Sequence, residues 1–213
     1  MTPSRQQMPG LRHEPAIPLD PSGALVALAA ELREEGPVIA PHVADPQVAP
    51  VLGQLVAAGR RCRAIGAAYA TVVESVREGY LLHYGEPRLL AALDADLRLL
   101  IGDHLYARGI ERLVAIGDTL AVAELADLIS MTAQLRASGG AGRAGSEAAW
   151  LASAVTIATG SDPAHERAKG TLRASGDARA LWSATEAAAA RNGLSGSLAA
   201  ASEAVGFSAS DLG

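Results

Sequence analysis

Cys62 is the only cysteine in 213 residues, so no intrachain disulfide and no thiolate-built zinc site can form, and a reducing, cytoplasmic setting is expected. Aromatic residues are scarce as well, at 3% of the chain, which leaves Ala, Leu, Val and Ile to build the core. Positive charge is not concentrated anywhere. A net charge of -5 spread along the sequence offers neither a footprint for nucleic acid nor a polybasic membrane anchor. No segment approaches the ~20 charge-free apolar residues that a membrane span needs. Residues Met1 to Pro21 also lack the apolar run of a signal peptide. Alternation of period two is missing, so a sheet is not expected. No two aspartates are adjacent, which removes the paired carboxylates that hold magnesium against a diphosphate.

What is present reads as helix throughout. Pro3, Pro9, Pro15, Pro18 and Pro21 mark residues 1–21 as a disordered tail, and residues 22–213 are expected to form a single helical domain. Helices are predicted over 22–35, 51–58, 65–84, 89–115, 119–136, 147–159, 163–172, 178–190 and 194–205. Gly59 and Gly85 are expected to stop two of these in the left-handed region, and Pro87 to open the fourth. Leu90, Leu93, Leu97 and Leu100 recur at spacings of three and four, giving one leucine stripe, which His104 extends by another four residues.

Several constellations could carry chemistry. Gly140 to Gly145 has the spacing of a dinucleotide fingerprint, but a helix precedes it where that fingerprint needs a strand, so a glycine-rich linker over 138–145 is expected. Asp96 and Asp103 share a helix face with Asp94 nearby, a pattern that suits a hard cation or simply a solvated face. Glu74 and Glu78 are four apart, with Arg77 beside them, and read as surface pairing. Arg60, Arg61 and Arg63 form the tightest basic cluster. Guanidinium groups at a turn suit bidentate phosphate contacts, and a solvated helix start is the competing reading.

Four segments, in order, resemble the trans-isoprenyl (polyprenyl) diphosphate synthases. Ala58-Gly59-Arg60-Arg61-Cys62-Arg63 is similar to that family's Gly-Gly-Lys-Arg-x-Arg, which holds isopentenyl diphosphate. Leu99 to Arg108, containing Gly102-Asp103-His104-Leu105, looks like its Gly-Asp-x-Leu-x-Ala helix. Ser146 to Leu151 resembles its Lys-Thr-Ala-x-Leu-Phe segment, and Gly176 to Ala187 the segment that ends in Gln-x-x-Asp-Asp. The departures are specific. Ser146 stands where the family has lysine, Ser183 where it has glutamine, and Glu186 is the only acid left of the second aspartate motif.

The resemblance implies an all-α, isoprenoid-synthase-like helical bundle of reduced size, with diphosphate-binding roles for Arg60, Arg61 and Arg63. Leu93, Leu97, Leu100, Asp103 and His104 would be core or interface residues. This chain would contribute no catalytic or metal-ligating residue, and magnesium would sit only on a catalytic partner. The implied role is that of a non-catalytic subunit of a heteromeric polyprenyl diphosphate synthase, pairing with the catalytic subunit or with itself and influencing product length. The family's usual dimer packs through the helix at 89–115 and its neighbour at 119–136. The competing expectation is a helical scaffold or small-ligand-binding protein unrelated to prenyl metabolism.

Overall fold

The computed structural model describes residues 18, 20–137 and 142–213, and over these the protein is all-α. Nine α-helices are present among the described residues: α1 (Ala24–Glu34), α2 (Val51–Ala58), α3 (Gly66–Tyr84), α4 (Ala95–Ile116), α5 (Thr119–Ala137), α6 (Gly142–Thr159), α7 (Pro163–Ser175), α8 (Arg179–Arg191) and α9 (Ser195–Ala204). The only extended pairing among them is an isolated antiparallel bridge between Val43 and Leu90. Most of the expected tail lies outside the described residues. Asp20, near its end, caps a short 3-10 turn at Pro21–Gly23 that leads into α1.

The α4 helix begins six residues later than the sequence suggests. Gly85 to Leu90 is not helical, Pro87 lies in that loop, and Asp94 supplies the cap by accepting a hydrogen bond from the Leu97 amide. Leu90 therefore leaves the stripe and joins the bridge. The α6 helix starts at Gly142, so the expected linker is shorter than 138–145, and residues 138–141 lie outside the described set. Gly142 to Gly145 forms the first turn of a helix and cannot wrap a pyrophosphate as a fingerprint loop would.

The α3 helix is the axis of the molecule, with α1, α2 and α4 packed directly on it. Tyr69 to Tyr80 is buried without a break, polar residues included. The α6 helix is buried just as completely from Gly145 to Ala158, against α2, α5 and α8. Helices enclosed on every side are normally apolar all round, so polar groups on them must be paired. Two apolar clusters result. The larger joins α2, α3, α5, α6, α8 and α9 through residues such as Val72, Leu125, Trp150 and Leu181. The smaller packs Leu25, Leu28 and Leu32 of α1 onto Leu82, Ile101 and Leu105.

Glycine sets the closest approaches. Gly59 has φ -69°, not a left-handed value, and a Cβ there would stand 2.3 Å from the carbonyl oxygen of Ala158. It is required for close backbone passage between α2 and α6, not for a turn. Gly85 is likewise extended rather than left-handed. Along α4, Gly102 and Gly109 let the helix sink onto His83 and Val76 of α3.

Candidate functional site

The three arginines of the basic cluster diverge. Arg60 and Arg63 are exposed, while Arg61 turns inward. Its Nη1 donates to the carbonyl of Ile157 at 2.9 Å and its Nη2 to Asp118. Asp118 also accepts from the Tyr69 hydroxyl at 2.6 Å and caps α5 through the Ala121 amide. Burial opposes ionisation of Asp118, yet the bonds from Arg61 and Tyr69 prevail and hold its pKa below the usual carboxylate value. Arg61 is thus committed to a clamp joining the end of α2, the α4–α5 turn and the end of α6.

Glu74 and Glu78 do not lie on the surface. Both side chains are 0% exposed and both are held by Arg88 rather than Arg77. Arg88 reaches them because the non-helical loop after Gly85 carries it back along α3. Its Nε donates to Glu78 at 2.9 Å and its Nη1 to Glu74 at 2.5 Å, while the amides of Arg88 and Leu89 donate to Glu78 and that of Gly53 to Glu74. Arg77 instead pairs with Glu147 of α6 through Nη2 alone, at 2.8 Å to each oxygen, and lies over the rings of Tyr80 and Trp150.

The leucine stripe does not form one helical face, since Leu93 precedes α4 and Leu97 and Leu100 lie on different sides of it. Leu93 and Leu97 pack against the smaller cluster, whereas Leu100 is 66% exposed. Asp103 is exposed, with its Oδ1 lying 3.1 Å from His83 Nε2. His104 is half-buried and its Nε2 stands 2.9 Å from Glu35 Oε2. Asp94 is the cap of α4, and Asp96 and Asp103 face solvent with no third acid beside them. On the solvent side, Leu100, Asp103, Ala107, Ile110 and Val114 follow spacings of three and four, as in a coiled-coil seam. Val114 is 63% exposed and neighbouring Leu99 50%. Among the described residues Ile110 is half-buried against the larger cluster, while Leu100, Ala107 and Val114 stay exposed.

A further polar centre lies between α5, α6 and α7. Glu124 is buried there and accepts three side-chain donors: Ser153 Oγ at 2.6 Å, His165 Nε2 at 2.9 Å and Lys169 Nζ at 2.9 Å. Burial pushes its pKa up, but the bonds and charge of His165, with Ser153 and Lys169, more than reverse this and bring it down to about 2. Lys169 Nζ also lies 2.8 Å from Asp127 and 3.2 Å from Glu166. Burial disfavours its charge, and the surrounding carboxylates outweigh that and raise its pKa. Glu124, His165 and Glu166 bring potential ligand atoms within 4.8 Å of one another. The ammonium of Lys169 already supplies the positive charge among these acids, so the set does not call for a metal ion. Two signals in the sequence point to this centre. Glu124 falls on the apolar face of α5 between Ala121 and Leu125, and His165 and Lys169 are one helical turn apart.

All five buried carboxylates among the described residues are closed by a cation: Glu74 and Glu78 by Arg88, Asp118 by Arg61, Glu124 by Lys169 and Glu147 by Arg77. Over the described residues the class these features define is an all-α domain with a paired ionic interior and an exposed apolar row on α4. Compared with family models, curated proteins and solved structures, the chain matches none. No helix of the described residues is long and apolar enough to cross a membrane.

Proposed function

We propose that this chain is a non-catalytic subunit of a heteromeric polyprenyl diphosphate synthase, stabilising the catalytic subunit and influencing product length. The observation that carries the reading is the solvent-facing row on α4, where Leu100, Ala107 and Val114 lie exposed among the described residues while Ile101, Leu105 and Leu113 of the same helix are buried. Exposed apolar rows with heptad spacing are stable when a second helix covers them. The closed interior acids agree with a silent role, because the charge of each is already answered by an arginine or lysine rather than left for a metal ion. The magnesium sites would then belong to the partner, with Arg60 and Arg63 left free to approach a diphosphate at the rim.

The test is co-expression with a synthase that has intact aspartate motifs, followed by light scattering on the purified material and chain-length analysis of the products. A one-to-one complex with an altered product length is expected, and the double variant Leu100→Glu/Val114→Glu should abolish both. Absence of a complex, or a complex indifferent to that variant, overturns the reading. So does a homodimer of this chain that persists in the presence of the synthase.

A further inference from the structure

The exposed side of α4 carries a charge pattern as regular as its apolar one. Asp96, Leu100, Asp103, Ala107, Glu111 and Val114 follow one another at spacings of three and four, and all six are exposed, so acid and apolar residue alternate along one line of the helix. A solvated helix face usually mixes the two signs, with a cation one turn from each acid. This line does not. Neither Asp96 nor Asp103 has an arginine or lysine three or four residues away, and Glu111 has only Arg108, whose guanidinium is paired with Glu35 of the α1 end.

The cations of α4 are all held on its other sides. Arg98 Nε donates to the Leu82 carbonyl at 2.5 Å and its Nη2 to that of Leu81 at 3.2 Å, closing the end of α3. Arg112 pairs with Glu31, which also lies 3.7 Å from Arg108. On α1, Arg33 is paired with Asp45 at 2.7 Å, while Glu34 is exposed and has no pair among the described residues. Asp96 and Glu111 likewise have none, and Asp103 has only His83 at 3.1 Å. The exposed residues of α5, which also packs against α4, are uncharged. Over 31–35 and 94–112 seven carboxylates stand against four arginines. The face is therefore apolar and acidic at once.

That combination selects its occupant. A two-fold contact sets a surface against its own copy. Run antiparallel about Ala107, such a contact brings Leu100 to Val114 but also Asp103 to Glu111, twice; run parallel, it brings each acid beside itself. An anionic lipid surface would be repelled by the same acids. We propose that the exposed face of α4 receives an amphipathic helix, supplied by the partner, whose apolar row is flanked by lysine or arginine. That α4 meets a partner at all rests on the subunit reading above; the basic flanks are the new element, and they exclude self-pairing through this face.

The probes are two fluorescein-labelled helical peptides of about three heptads with the same leucine row, one flanked by lysine and one by glutamate, each titrated with the full chain and read by anisotropy. The lysine peptide should bind with a Kd on the order of 10–100 μM at low salt, weaken severalfold as salt is raised, and exceed the glutamate peptide by roughly tenfold or more. Asp96→Lys/Glu111→Lys, at two exposed and unpaired positions, should invert that preference, which no loss of stability can imitate. Leu100→Asn/Val114→Asn should weaken both peptides. Equal binding of the two peptides, no binding of either, or a preference unchanged by the reversal overturns the assignment. So does a dimer of the chain alone that Leu100→Glu/Val114→Glu dissolves. In co-expression, a synthase complex indifferent to Asp96→Lys/Glu111→Lys overturns the basic helix and leaves the subunit reading standing, whereas peptides that behave as expected with no synthase complex uphold the basic helix and overturn the subunit reading instead.

Discussion

Replacing Glu124 by glutamine removes one charge from a place where three donors converge. Only one oxygen remains to accept, and the new amide turns its own protons toward His165 Nε2 or Lys169 Nζ, setting donor against donor. The lowering of the Glu124 pKa from 4.5 to about 2 corresponds to about 3 kcal/mol of preference for the ionised form in the folded state. That agrees with the roughly 3–5 kcal/mol lost when one partner of a buried pair is removed. For a chain of this length the melting temperature should fall by about 6–12 °C. The pH dependence sharpens the test. A carboxylate whose pKa is depressed on folding adds stability that is fully present above its unfolded value of 4.5 and is lost as the pH falls toward about 2. Urea denaturation of both proteins between pH 6 and pH 3 should therefore show the variant lower at pH 6, with the gap narrowing in acid. A variant as stable as the parent at pH 6, or a gap independent of pH, refutes the account of this centre.

Two further outcomes follow from the buried charges and the buried thiol. Arg88→Met strands Glu74 and Glu78 without their cation and should cost about 3–5 kcal/mol in urea denaturation, whereas Arg33→Ala, which breaks an exposed pair with Asp45, should cost about 0–1 kcal/mol. Equal losses for the two variants would contradict the burial assigned to α3. Burial, reinforced by Asp118 and only partly offset by Arg61, pushes the Cys62 thiol up to about 11, so Ellman's reagent at pH 8 should label it at the rate of unfolding and no faster.

Helix content was legible because the chain punctuates itself. Val51–Ala58 and Gly66–Tyr84 fall at or within one residue of where Pro50, Gly59 and Gly85 place them, and Gly117 with Asp118 marks the break between α4 and α5. The start of α4 was misplaced because Pro87 is compatible with a first turn, while the decisive signal, an aspartate three residues before an amide it can cap, was present at Asp94 as well. The burial of α3 was not legible. Glutamate and arginine four or three apart describe a surface helix equally well, and only the return of Arg88 from a loop, ten and fourteen residues away, decides otherwise. The Glu124 centre depends on contacts across 29, 41 and 45 residues, which local periodicity cannot report. The Arg60–Arg63 cluster was visible as a cluster, but its division into one inward and two outward groups follows from Cys62 being buried between them.

The polar residues enclosed on α3 have a consequence for how the chain tells its native arrangement from near misses. In a core of Ala, Leu and Val, a helix can rotate or slide by a residue and exchange one methyl contact for another at small cost. Here a shift of one residue would carry Glu74, Arg77 and Glu78 away from Arg88 and Glu147 together, leaving five charges without counterparts in a single move. The charged rungs act as a combination lock on an otherwise permissive aliphatic barrel: they open only in one alignment, and every other alignment is rejected by several bonds at once.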